Sequence, residues 1–318
     1  VKAVVTGCAG FIGSTLVDRL LAEGHDVVGI DSFTDYYDPQ VKRRNLEGAL
    51  SHPAFTLLEG DLVDRDLAAD IADAEHVYHL AGQPGVRSSW GDEFEIYLSA
   101  NVLATQRLLE AAKESAALRR FVYASSSSVY GEAERFPTEE TDRPMPRSPY
   151  GATKLAGENL CALYAASFGV PTVALRFFTV YGPRQRPDMA FHRFIRAALH
   201  GSAVTVYGDG EQVREFTHVD DIVAANIKAA TRDVPAGSII NLSGGSSVTV
   251  NDVLRELGEI LGQPVGVDHL DSVAGDVRRT GGSIDRAREL LGWSPVVPLR
   301  AGLESEHQWL AAEMGVRG

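Results

Sequence analysis

Hydrophobic and polar positions follow two regimes along the chain. In the first half, short strand-like apolar runs recur at Ala3–Thr6, Asp26–Ile30, Phe55–Leu58, His76–Leu80, Phe121–Ala124 and Thr172–Arg176. Runs this short and this continuously apolar predict strands buried on both faces, as in a parallel sheet. Stretches with helical spacing separate them, at Phe11–Glu23, Asp66–Ile71, Glu93–Lys113 and Ser148–Phe168. Alternating strands and helices predict helices on both sides of one sheet. The right-handed crossover rule then leaves the doubly wound, Rossmann-type α/β arrangement as the simplest topology. The polar, irregular stretch 34–50 predicts a surface loop carrying a short helix.

Beyond residue 178 the elements shorten and turn residues cluster, as in Gly208-Asp209-Gly210, Gly244-Gly245, Gly281-Gly282 and Ser294-Pro295. Helical spacing persists at Met189–His200, Asp220–Ala230, Asn251–Leu261, Ile284–Leu291 and Leu299–Met314. This half predicts a smaller α/β lobe laid over the carboxyl edge of the sheet. Residues 1–178 then form the sheet domain and 179–318 the lobe, interleaved, with part of 216–245 returning to the sheet.

Charge and cysteine content narrow the function. A net charge of -13 argues against a nucleic-acid partner, which needs a basic face. An anionic ligand must therefore meet local basic residues. Two cysteines, Cys8 and Cys161, cannot make a disulfide framework, and the chain reads as cytoplasmic. It opens directly into a strand, so no leader is expected, and no apolar run approaches the ~20 residues of a membrane span.

The first strand–helix junction carries Gly7, Gly10 and Gly13, a GxxGxxG pattern. Glycine there lets backbone approach a pyrophosphate, and the helix start at Phe11 and Ile12 offers free N–H groups. Asp31, at the end of the second strand, is placed to bind ribose hydroxyls and would repel a 2′-phosphate, which favours NAD over NADP. Asp61 is assigned either to the adenine amine or to its own turn. Leu62, Leu80, Ala81 and Phe177, at strand ends along the same edge, complete the expected cofactor contacts.

Tyr150 and Lys154 are four apart, on one face of a predicted helix. A nearby ammonium favours a phenolate, which would make Tyr150 a base for a hydroxyl group. The cluster Ser125-Ser126-Ser127-Ser128 follows the fifth strand at the ligand-binding edge. Ser126 is the candidate to share the reacting proton, while some of its neighbours can serve only as turn caps. No His/Cys cluster has metal-ligand spacing.

The segments GCAGFIG (7–13), SSSSVYG (125–131), YGATK (150–154), RFFTVYGP (176–183) and EFTHVDD (215–221) together resemble the extended short-chain dehydrogenase/reductases, the NAD-dependent epimerase/dehydratase family, over essentially the whole chain. The resemblance implies tightly held NAD, a nucleotide-sugar substrate, a Ser126–Tyr150–Lys154 catalytic set and a homodimer through Glu93–Lys113 and Ser148–Phe168. No acid stands in the serine loop, unlike the family's dehydratases and decarboxylases, which points to epimerisation. RPDM (186–189) and the loop Gln83 to Ser88 look like the UDP-glucuronate 4-epimerases.

Arg186 is then the expected carboxylate partner, with Arg184 and Arg193 as rivals and Ser127, Ser128 and Thr179 assisting. Arg214 resembles the diphosphate arginine. Gln212, Val206, Tyr207 and Asp276 are assigned to the nucleotide side. Where relatives often read RPGD, this chain has Val273-Ala274-Gly275-Asp276, so a second diphosphate arginine is missing unless Arg278 or Arg279 replaces it. The competing readings are a UDP-glucose 4-epimerase, a UDP-glucuronate decarboxylase and a non-catalytic NAD-binding protein.

Overall fold

The structure is a computed structural model that describes residues 1–133, 135–244, 247–271 and 278–316. Its centre is a seven-stranded parallel sheet. The strands are β1 (Lys2–Thr6), β2 (Asp26–Asp31), β3 (Phe55–Glu59), β4 (His76–His79), β5 (Arg120–Ser126) and β6 (Thr172–Phe177). After the short β7 (Thr179–Tyr181), β8 (Val204–Tyr207) and β9 (Val213–His218), the chain supplies the seventh, β10 (Ser238–Leu242). The order across the sheet is β10-β6-β5-β4-β1-β2-β3.

Period-two alternation explains why the central strands carry apolar residues at successive positions. Ala3, Val5, Val122, Val173 and Leu175 pack on one face with Leu16, Val17, Leu20, Ile222 and Val223 from the helices Phe11–Ala22 and Val219–Thr231. Val4, Val77, Phe121, Tyr123 and Ala174 point the other way, onto Leu108, Leu109, Cys161 and Tyr164 of the helices Ala104–Glu114 and Pro149–Phe168. Each fully buried aliphatic side chain contributes about 1.5–3 kcal/mol, so the strands are anchored from both sides.

β7 and β9 run parallel, and β9 also pairs antiparallel with β11 (Ser247–Thr249). β8 pairs with β12 (Val267–Leu270). Around these two small sheets Tyr181, Phe191, Ile195, Val204, Val206, Leu257, Leu303 and Leu310 form a separate apolar cluster.

Two expectations change. The stretch 34–50 holds two short helices, Pro39–Asn45 and Glu47–Leu50, the first capped by Asp38, whose carboxylate accepts from the Gln40 N–H. The helix expected over Glu93–Lys113 is not uniform: a 3-10 turn (Gly91–Glu93), an α turn (Phe94–Tyr97) and a π segment (Leu98–Leu103) precede Ala104–Glu114. The π segment carries Asn101, almost fully buried, whose side chain is bonded outside the helix.

Candidate active site

Strand order reverses between β1 and β4. There the carboxyl ends of the strands open into a cavity of ≈ 540 Å³. Its floor is the loop after β1. Gly7 has φ of 70°, and a Cβ on it would stand 2.7 Å from the Ala81 nitrogen. A Cβ on Gly13 would fall 2.0 Å from the Gly7 carbonyl oxygen. Both positions therefore require glycine. Gly10 caps the helix Phe11–Ala22 without a side-chain bond, which leaves first-turn amides open to an anion.

Asp31 closes β2 and ties the glycine loop to it. One carboxylate oxygen accepts from the Phe33 N–H at 2.8 Å, the other from the Ala9 N–H at 3.0 Å. Lone pairs remain for a hydroxyl donor. Asp61 holds its own turn through the Val63 N–H and also lines the cavity, so its two assignments are compatible. Gly7, Gly10, Phe11, Ile12, Gly13, Asp31, Asp61, Leu62, Leu80, Ala81, Tyr150, Lys154 and Phe177 all line this one cavity.

Sequence reasoning missed Tyr36, Tyr37 and Lys42, which line it from the polar stretch after β2. Lys42 is buried, donates to the Thr34 carbonyl at 2.8 Å, and has its pKa lowered by burial. Nothing in a polar segment marked it. A buried lysine there is legible only from the fold.

Ser148 starts the helix Pro149–Phe168 by accepting from the Gly151 N–H at 3.1 Å, and this fixes Tyr150 and Lys154 one turn apart at the cavity wall. Ser126 ends β5. Its hydroxyl accepts from the Ser128 N–H at 3.1 Å and also hydrogen-bonds the Tyr150 phenol. Lys154 donates to the Ala124 carbonyl at 3.0 Å, and burial pulls its pKa down to about 8.

Burial pushes the Tyr150 pKa up. The opposing influences are the Ser126 hydrogen bond and then the charge of Arg186, not Lys154. The ammonium of Lys154 is directed at the Ala124 carbonyl.

Asn101 is a second residue that sequence reasoning missed. Its amide accepts from the Gln83 N–H at 2.7 Å, donates back to the Gln83 carbonyl at 3.1 Å, and donates to Thr153 at 3.0 Å. It thus joins the loop after β4 to the helix that bears Tyr150 and Lys154. Tyr97 supports the same loop through the Pro84 and Gly85 carbonyls, and its ring stands edge-on to Tyr150 at 6.4 Å.

On the substrate side the arginines separate. Arg184, with φ of 69°, pairs with Asp18 at 2.7 Å, and Arg193 is exposed on a different cleft. Arg186 lines the main cavity and is bound to Asp188. It therefore combines a position on the cavity with an acid partner of its own. Ser127 and Ser128 form a 3-10 turn and Thr179 opens β7, all three outside the lining of the main cavity.

Val206 packs inward. Strand alternation turns its side chain into the lobe's apolar cluster, leaving Thr205 and Tyr207 on the other face. Tyr207 is covered by the Arg87 guanidinium at 4.7 Å, and its carbonyl accepts from Gln212 at 2.9 Å. Arg214 donates to the Val213 carbonyl at 2.9 Å. Arg278 pairs with Asp209 and Arg279 stacks over Phe136, so each has another partner. Asp276 lies outside the described residues.

A glycine-floored cleft at the switch point of a doubly wound sheet, with serine, tyrosine and lysine on its wall, defines a dinucleotide-dependent sugar-modifying class. Residues 3–243 match the NAD dependent epimerase/dehydratase family, and the chain belongs to that family. It is 43% identical to an uncharacterized UDP-glucose epimerase, YtcB, of Bacillus subtilis (strain 168), covering 98% of each chain. It is 35% identical to a probable UDP-glucuronate 4-epimerase of Rhizobium meliloti (strain 1021), covering 97% of this chain and 96% of that one. Among solved structures, UDP-glucuronic acid 4-epimerase from Bacillus cereus in complex with UDP-glucuronic acid and NAD matches with a TM-score of 0.95 at 42% identity, covering 98% of this chain and 100% of the other.

The cavity fits NAD on its own terms. Uncapped helix amides and a floor that admits no Cβ suit the pyrophosphate, Asp31 suits a ribose, and Lys154 is a cation one helical turn from Tyr150 on the same cavity wall. Among the described residues, no helix is long and apolar enough to cross a membrane.

Proposed function

We propose that this chain interconverts UDP-glucuronate and UDP-galacturonate by epimerisation at C4. The observation that carries the reading is that Tyr150, Lys154 and Arg186 line a single cavity, so a base and a carboxylate partner can address one sugar. Bound NAD supplies an acceptor and donor of hydride at C4. Tyr150 takes the O4 proton, sharing it with Ser126, and returns it once the 4-keto sugar has turned about its diphosphate link. Lys154 binds the nicotinamide ribose. Arg214, Gln212 and Tyr207 hold the nucleotide end.

A 4-keto uronate is a β-keto acid and loses carbon dioxide when the breaking bond aligns with the carbonyl π system. Arg186, which lines the cavity, holds the carboxylate out of that alignment. The serine turn carries no carboxyl group to promote loss at the neighbouring carbon.

Proton NMR of the protein with UDP-glucuronate tests this. UDP-galacturonate without UDP-pentose is the expected product, and pentose would make the chain a decarboxylase. Arg186→Ala should lower kcat/KM for UDP-glucuronate by roughly 10²-fold, the scale of a truncated charge-assisted pair. Wild-type turnover by that variant would exclude Arg186 as the carboxylate partner. The second reading, a UDP-glucose 4-epimerase, is favoured by one observation, that Asp188 already balances Arg186. It predicts turnover of UDP-glucose alone.

The division of labour that goes with this places NAD on residues 1–178 together with β10, and the UDP-sugar on the remaining lobe. We also assign a homodimer through the helices spanning 94–114 and 149–168, supported by the exposed Leu98, Leu103, Leu163 and Phe168. With both cysteines free and buried, the reaction is assigned to the cytoplasm.

A further inference from the structure

Arg186 enters the cavity already paired. Its Nε and Nη2 donate to the two carboxylate oxygens of Asp188, two residues on, each at 3.0 Å. The side edge of the guanidinium is thereby taken, and the end edge is what a second carboxylate can use. Asp188 also accepts from Tyr36, which reaches over from the segment after β2 and whose hydroxyl stands 3.4 Å from Oδ2. Burial works against the charge on Arg186, and Asp188, with smaller help from Tyr36 and Tyr150, more than offsets it.

A cation taken out of water needs a partner. Arg186 keeps only 22% of its side chain exposed, so without a partner it would be best satisfied by a sugar carrying its own carboxylate, and a neutral hexose would leave a poorly compensated charge beside the reacting centre. We propose that Asp188 is a resident counter-ion that sets how sharply the site separates a uronate from a neutral hexose. It clamps Arg186 by the side edge, leaves the end edge for the sugar carboxylate, and keeps the pair neutral when a hexose occupies the site. The inference rests on the proposed meeting of Arg186 with the substrate carboxylate.

The test is calorimetric binding of UDP-glucuronate, UDP-glucose and UDP in a Tyr150→Phe background, where turnover does not interfere. Asp188→Asn keeps the shape of the side chain and removes its charge. The ratio of Kd for UDP-glucose to Kd for UDP-glucuronate should rise by roughly five- to tenfold, as for loss of one half-exposed charge contact. Asp188→Ala should move the ratio the same way. UDP affinity should stay constant, reporting an intact fold.

A ratio that is unchanged or smaller in both variants overturns the inference. The functional reading is tested separately with Asp188 intact. If Arg186→Ala leaves the ratio where it was, Arg186 does not meet the sugar carboxylate, and both ideas go. If Arg186→Ala erases the preference while Asp188→Asn leaves it alone, only the counter-ion role is lost.

Discussion

Single residues divide here into those whose role is local in sequence and those whose role depends on a distant partner. Gly7, Gly13 and Asp31 were legible because the strand–turn–helix that needs them lies within one stretch of chain. Tyr150 and Lys154 were legible because helical spacing alone puts them on one face. What offsets the burial of the Tyr150 phenol was not, since Ser126 and Arg186 come from other elements. Tyr150→Phe should cut turnover by about 10²–10⁴-fold, the usual share of a general base, while NAD and UDP binding persist. Product assays beside calorimetry check this, and an active phenylalanine variant would move the base elsewhere.

Among the elements, the sheet strands emerged from the apolar runs within a residue or two, because burial on both faces leaves an unbroken apolar signature. The breaks in the helix leading to Glu114 did not, since a π segment has no composition of its own and is paid for by what Asn101 holds. Nor did the buried pair between β6 and the catalytic helix, where Arg176 binds Glu158 bidentately, each bond 2.8 Å, with Ser125 donating to the same carboxylate. Arg176→Met should destabilise by about 3–5 kcal/mol by stranding Glu158, and adding Glu158→Gln should recover part of it. Urea unfolding of the two single variants and the double reads the coupling directly.

Helix Leu299–Glu313 offers a pH test. Glu306 accepts from the Gly182 N–H at 2.8 Å at the base of the Arg186 loop, and burial pushes its pKa up to about 8 from an ordinary 4.5. The folded state then binds the proton more tightly, so this group's contribution is full below pH 4.5 and falls as pH rises to 8. Glu306→Gln should therefore gain on the wild type between pH 5 and pH 8, by roughly 2–4 °C in Tm for each kcal/mol removed. Parallel melting curves across that range would refute the raised carboxyl.

At the scale of the molecule, strand–helix alternation was enough to anticipate the sheet and the return of part of 216–245 to it, whereas the exact strand, Ser238–Leu242, and its place beside β6 come from tertiary pairing. Replacing Leu163 and Phe168 together by aspartate should convert the proposed dimer to monomer in sedimentation, with a single-species dimer in the variant ruling that face out. The return of β10 to pair with β6 has a consequence during synthesis. Until Ser238–Leu242 leaves the ribosome, the nascent chain presents β6 as an open edge, a row of unpaired amides and carbonyls flanked by apolar residues. A stalled or truncated product ending near residue 236 should therefore be the sticky form of this protein, seeking a strand from a neighbour. Codon changes that slow translation just before 238 should lower its yield without altering a single amino acid.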